Sequence, residues 1–308
     1  MKPMKKNRPG FSAFWFPLFL SAFFAAAAGT AGSLELRLEG GAGNISFDPG
    51  QDHPVGGGRF TPRTYPLAFA GLSGAFNGTI SWEAAWERDP VLRNRVKAGL
   101  GLDFSFVRIE AGMILSPFNT PEKILSPGAA GGLTFEWPGV IFGTVRGSST
   151  LGSSLSFPGD YIQETGEIIL GFWVPNVVCS LSFSSAAFSR RFSELVLIKD
   201  QRTRYQFSAD VHAKNVPYTI LVNMGYQSLK RSYTPAGFAS GFTEDDELRS
   251  VYLGAEGTWR VITDLRILAG VEMPVYSWGK TPMLAPRLNT VLFTVRAGVI
   301  WTLPGNRR

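Results

Sequence analysis

Apolar residues fall on every second position in stretch after stretch of this chain, and after the first thirty-odd residues no 3.6-residue apolar period persists. The clearest case runs from Leu72 to Trp86. Leu72, Gly74, Phe76, Gly78, Ile80, Trp82, Ala84 and Trp86 share one parity; Ser73, Ala75, Asn77, Thr79, Ser81, Glu83 and Ala85 share the other. Successive side chains of a strand point to opposite faces, so such a stretch has one apolar and one polar face. A chain written this way folds as sheet, and each face needs its own environment.

The pattern recurs. Val96, Ala98, Leu100, Leu102 and Phe104 oppose Arg95, Lys97 and Asp103. Ile109, Ala111, Met113 and Leu115 oppose Arg108 and Glu110; Leu133, Phe135 and Trp137 oppose Thr134 and Glu136. Ile168, Leu170, Phe172 and Val174 oppose Glu167; Cys179, Leu181 and Phe183 oppose Ser180, Ser182 and Ser184. Tyr205, Phe207, Ala209 and Val211 oppose Arg204, Gln206, Asp210 and His212. Tyr218, Ile220, Val222, Met224 and Tyr226 oppose Thr219, Asn223 and Gln227; Val251, Leu253, Ala255 and Trp259 oppose Ser250, Glu256 and Arg260. Leu265, Ile267, Ala269, Val271 and Met273 oppose Arg266 and Glu272; Val291, Phe293, Val295, Ala297, Val299 and Trp301 oppose Thr294 and Arg296. With a weaker run from Val140 to Arg146, about twelve strands lie between Leu72 and Leu303.

Connection lengths add topology. Tight links at Ser105-Phe106, Pro138-Gly139, Pro175-Asn176, Asn215-Val216 and Ile262-Thr263 alternate with longer ones at Glu87–Asn94, Asn119–Ala130, Leu151–Thr165, Arg190–Gln201, Arg231–Glu247 and Gly279–Arg287. An antiparallel meander with short turns at one end and long loops at the other resembles a bacterial outer-membrane β-barrel. A soluble β-sandwich shares the alternation but has no reason to keep this asymmetry. The expected fold is all-β: a transmembrane, antiparallel, up-and-down barrel of about twelve strands over residues 72–303. Segment 32–71 is left open as a periplasmic arm, a plug or one extra hairpin, and the hairpin would raise the count to fourteen. Leu34, Leu36 and Leu38 alternate there with Glu35, Arg37 and Glu39 before a Gly- and Pro-rich run.

The N-terminus points to export. Lys2, Lys5, Lys6 and Arg8 precede an apolar run from Phe11 to Ala28 and a small-residue stretch ending at Ala31, the order of a secretory signal peptide spanning residues 1–31. The same lysines and arginine carry most of the chain's net charge of +6, so that charge does not imply nucleic acid. Residues 304–308 form a short tail. Trp86, Trp137, Trp259, Trp301 and Tyr218 sit near strand ends on the apolar parity, where an amphipathic ring suits a membrane interface. Trp173 and Trp278 do not fit that placement.

Arg296, Gly298, Trp301 and Leu303 resemble the assembly signal in the last strand of outer-membrane barrels, although Pro304 to Arg308 follow and no terminal Phe is present. The resemblance implies a barrel-assembly machinery and outer-membrane lipid as partners. It covers the class, not any individual protein.

Little in the chain carries chemistry. One cysteine, Cys179, excludes an internal disulfide and a multi-thiolate zinc site, and two histidines, His53 and His212, leave little for a triad. Gly40-Gly41-Ala42-Gly43 does not sit between a strand and a helix, so no phosphate cradle is expected. Glu244-Asp245-Asp246-Glu247 reads as a solvated acidic loop ahead of a calcium site, and Arg202, Arg204 and Tyr205 as lumen lining ahead of a nucleic-acid patch. His212 with Asp210 is the one pair resembling acid–base equipment, and it lacks a nucleophile. No enzyme activity, cofactor, metal or nucleic acid is expected.

The polar parity is expected to line a lumen with both signs: Arg95, Lys97, Arg108, Arg146, Arg204, Arg266 and Arg296 against Glu83, Asp103, Glu110, Glu136, Asp210, Glu256 and Glu272. Such a lumen suits a pore for small hydrophilic solutes. The alternative is a non-conducting surface barrel whose loops bind a partner, with Tyr233, Phe238 and Phe242 as contacts; a barrel-embedded enzyme comes third.

Overall fold

A computed structural model describes residues 33–44, 64–77, 79–117, 125–151, 155, 160–193, 196–213, 215–235, 244–279 and 293–304. Its strands are β1 (Ser33–Gly43), β2 (Tyr65–Asn77), β3 (Ile80–Asp89), β4 (Arg93–Phe104), β5 (Val107–Pro117), β6 (Leu125–Trp137) and β7 (Ile141–Thr150). They continue as β8 (Tyr161–Val174), β9 (Val177–Ser193), β10 (Val196–His212), β11 (Tyr218–Pro235), β12 (Glu244–Ile262), β13 (Leu265–Gly279) and β14 (Thr294–Pro304). Each pairs antiparallel with its neighbours in sequence. The pairing of β1 with β14, from Ser33 opposite Pro304 to Gly43 opposite Thr294, closes the barrel. Closure leaves the barrel without an edge strand, which is what lets sheet cross a bilayer.

The barrel has fourteen strands, not twelve, and begins at Ser33, not Leu72. Two features account for the difference. First, Leu72 to Trp86 is a hairpin, with β2 and β3 meeting around Thr79. The short link preserves parity, so the alternation runs through the turn and hides it. Second, Ser33–Gly43 is a wall strand, and β2 starts at Tyr65. The expected signal segment 1–31, residues 45–63 and the tail beyond Pro304 lie outside the described residues, as do Phe238 and Phe242.

The hairpins β4–β5, β6–β7, β8–β9, β10–β11 and β12–β13 turn tightly at one end, with Ser105, Gly139, Asn176 and Asn215 at positive φ. Asn and Gly tolerate the left-handed conformation that such turns use. At the other end two expected long links are short. β3 and β4 are joined by Pro90-Val91-Leu92, and β9 and β10 run on until Ser193 and Val196.

The apolar parity faces outward. Leu100, Met113, Leu170 and Leu181 are each more than half exposed. On β11 the outward Tyr218 and Tyr226 bracket Ile220, Val222 and Met224. At about 3.4 Å per residue and a tilt of about 40°, the strand between those tyrosines rises roughly 21 Å, close to the ~25 Å apolar band of an outer-membrane barrel. Aromatic rows mark both borders. Phe183, Tyr205, Tyr226 and Trp278 follow one another at ring separations of 5.0, 6.2 and 6.0 Å, and Phe106 stacks on Trp137 at 6.0 Å near the short turns. Trp259 and Trp301 are exposed at that same end.

Beyond the upper row the polarity inverts. β9, β10, β11 and β12 have 17, 17, 18 and 19 residues, well past the roughly 9–11 that cross a bilayer. On β11 the inward positions change from Thr219, Asn223 and Gln227 to Leu229, Arg231 and Tyr233, all of the latter buried, while Ser228, Lys230 and Ser232 take the outer parity. Phe188, Ile198 and Leu248 are buried inward residues on the neighbouring strands. Lipid favours apolar groups outside; above it water does the opposite, and the same ribbon follows by exchanging its faces.

Candidate functional site

The interior is organised by the end of β3. Asp89 Oδ1 accepts the backbone N–H groups of Val91 (2.7 Å) and Leu92 (3.0 Å), so the carboxylate caps the turn that Pro90 initiates. Arg93 then restarts the wall at φ 67°, a conformation uncommon for a bulky residue. Val91 and Leu92 are both buried. Strands on other sides of the lumen hold this turn. Arg202 Nη1 of β10 donates to Asp89 Oδ2 at 2.8 Å. Gln163 of β8 donates its amide to the carbonyl of Leu92 and accepts the Ser116 hydroxyl of β5. Arg93 lies 3.8 Å from Asp200, whose carboxylate also takes two bonds from the fully buried Arg231.

β3 and β10 stand on opposite sides of the closed order. A circular barrel of this size, with strands about 4.8 Å apart and tilted about 40°, would be roughly 28 Å across between backbones. An extended Arg–Asp contact reaches only about half of that. The lumen is therefore pinched along this axis, and the Asp89–Arg202 pair is its crossbar.

Two cavities adjoin the crossbar, and Asp89 and Arg202 line both. The wider, of about 730 Å³, lies against the first strands. Most of its charges are paired: Lys97 with Glu83, Arg95 with Glu87, Arg37 with Glu39, Arg108 with Glu110 at 3.0 Å, and Arg146 with Glu167 at 3.6 Å. Arg95 also reaches across to Ser148 (3.1 Å) and Thr165 (3.4 Å). Between these side chains the wall is bare backbone; at Gly112 a Cβ would come within 2.5 Å of the Ala98 carbonyl.

The smaller cavity, of about 350 Å³, lies between Tyr65 and the strands β10 to β14. Arg204 donates to Glu272 (2.8 and 3.1 Å) and to Gln227 (2.6 and 3.1 Å), and its guanidinium lies 4.6 Å over the Tyr252 ring. Tyr252 donates its hydroxyl to Gln206 at 2.9 Å. Arg296 is paired with Glu256 at 2.5 Å.

Most charged residues expected on the lumen face are brought together in these pairs, with Arg266 reaching Glu35 at 2.8 Å and Arg108 also within 3.7 Å of Asp103. Glu136 and Asp210 take the same parity near the short turns without an ion-pair partner among the described residues, and His212 follows two positions after Asp210 on β10. Arg37, Glu39, Glu87, Asp89 and Glu167 line the lumen in addition to the charges expected there. Those of β1 lay in a segment of open status, and Asp89 lay in what looked like a loop. Glu244 to Glu247 begin β12 and pair with Tyr233 to Lys230, so they are wall rather than loop.

The four residues resembling an assembly signal have seam contacts. A Cβ at Gly298 would meet the Leu38 carbonyl at 2.3 Å, so only glycine lets β14 lie against β1 in this register. Leu303 packs with Leu36 on the outward cluster of Leu34, Leu72 and Trp82; Trp301 is exposed; Arg296 turns inward.

No protein-family model matches the sequence, and no curated protein matches it. Among solved structures the chain is similar to in-vitro folded OmpT, an outer-membrane protein of Vibrio cholerae, with 9% identity and a TM-score of 0.42 over 88% of this chain and 96% of that one. A refined porin shares 10% identity at TM-score 0.39, covering 88% and 98% of the two chains. OmpF of Salmonella typhi, in complex with daunomycin, shares 10% at 0.40, covering 88% and 97%. The resemblance is to bacterial outer-membrane barrels as an architecture, and at these scores it says nothing of solute or activity.

Proposed function

We propose that this chain is an outer-membrane pore for small hydrophilic solutes whose narrowest point is the Asp89–Arg202 crossbar. The observation behind this reading is the pair of charge-lined cavities within a wall that is apolar outside. Segment 1–31 directs export, and Arg296, Gly298, Trp301 and Leu303 engage the barrel-assembly machinery. The reading assigns no catalysis and no cofactor. Its test is reconstitution of the mature chain in planar bilayers: discrete conductance steps are expected, and their absence across many verified insertions would overturn it. A non-conducting surface barrel is the second reading, favoured by the buried inward residues of the projecting β9–β12 wall. In that case removal of either charge sign from the lumen lowers the melting temperature without any current to change.

A further inference from the structure

The two cavities differ in what they could hold. The wider one is lined by ion pairs that run along the wall with small, bare wall between them, an arrangement that suits water and passing ions. The smaller one sets uncharged hydrogen-bonding groups beside its paired charges. The side-chain amides of Gln206, Asn223 and Gln227 and the hydroxyl-bearing Tyr65 and Thr294 line about 350 Å³, near the lower limit for small-ligand sites.

Every cation on this wall already has its anion. Arg202 is bound to Asp89, Arg204 to Glu272 and Arg296 to Glu256. A charged solute would meet no uncompensated counter-charge and would lose its hydration on entering. A neutral solute rich in hydroxyls would exchange its water hydrogen bonds for those of amides and hydroxyls. Asn223 supports this reading separately. It is 7% exposed, and its Oδ1 has no hydrogen-bond partner among the described residues. Its side chain lies flat over Gly254, where a Cβ would stand 2.4 Å from that oxygen, as Tyr252 lies over Gly225. Glycines at those two inward positions keep the chamber open. Because the amide can turn over about its Cβ–Cγ bond, Asn223 can offer either a donor or an acceptor to an occupant.

We infer that this chamber is a binding site for a compact, neutral, polyhydroxylated solute of about monosaccharide size. The inference rests on the pore reading only for the solute's passage; the site itself exists whether or not the barrel conducts. The test is calorimetric titration of the refolded chain, in a sugar-free detergent, with glucose, with glucuronate as a charged isostere and with a trisaccharide too large for the chamber. Saturable glucose binding is expected, with neither of the others binding. Asn223→Leu and Thr294→Val, each verified as folded by heat-modifiable migration, are expected to weaken it about tenfold apiece, the effect of losing one hydrogen bond. Glucuronate binding as tightly as glucose, no glucose binding, or binding indifferent to both substitutions would overturn the inference. Conductance measured in parallel separates the two proposals: binding without current removes the pore and keeps the site, and current without binding does the reverse.

Discussion

Replacing Asp89 by Asn tests the crossbar with the least collateral change. The amide oxygen can still cap Val91 and Leu92, as Asp89 Oδ1 does at 2.7 and 3.0 Å. What disappears is the charged oxygen that accepts from Arg202 at 2.8 Å, with an amide N–H group facing the guanidinium instead. A hydrogen bond between charged partners contributes about 1.5–3 kcal/mol, and the Nδ2 that takes the place of Oδ2 is a donor that cannot accept from Arg202, so the turn should lose about 1.5–3 kcal/mol of its tether. With 1.4 kcal/mol per tenfold, the ratio of crossbarred to open lumen should fall by about tenfold or more. Single-channel recording reads this as a rise of the same order in the ratio of high-conductance to low-conductance dwell. Arg202→Gln should act alike, and the double substitution should add little, because both remove one interaction. Arg146→Gln in the wider chamber is the control. If folded Asp89→Asn gates as the parent does, or Arg146→Gln alters gating as much, the crossbar is not the constriction.

Four further outcomes are expected. Val222→Arg, at the middle of the apolar band, should lower stability by about 2–4 kcal/mol in urea-driven unfolding from lipid vesicles, whereas Thr219→Gln on the inner face should change it by much less. Leu229→Ala, above the band, should cost about 2–5 kcal/mol although its neighbour Lys230 tolerates alanine; equal tolerance would remove the polarity inversion. Arg231→Met should destabilise the upper wall by about 3–5 kcal/mol because Asp200 is left buried, a loss visible as faster proteolysis of β9–β12. Arg204→Glu, which places a second carboxylate beside Glu272, should shift the reversal potential in a salt gradient toward cations; an unchanged potential places Arg204 off the conducting path.

The membrane-spanning part of the wall was legible in sequence because lipid imposes a single rule there: from Leu100 on β4 to Val299 on β14, outward residues are apolar and alternate with inward polar ones. The same rule misled twice. Between β2 and β3 a short turn kept the parity in phase, so one run concealed two strands. Above the aromatic row the apolar residues changed face at Gln227 and Leu229, and continuing wall looked like loop. Lumen charges such as Arg204 and Glu272 were recognisable by parity, since parity states which face a side chain takes. Partnership was not. Asp89 meets Arg202 across 113 positions of sequence, and Gln163 meets Leu92 across 71. Those distances close only when β1 joins β14 and the wall flattens toward β3. Alternation is a local property of each strand, written residue by residue, whereas the shape of the lumen depends on strand number, register and closure, which the chain acquires only as a whole.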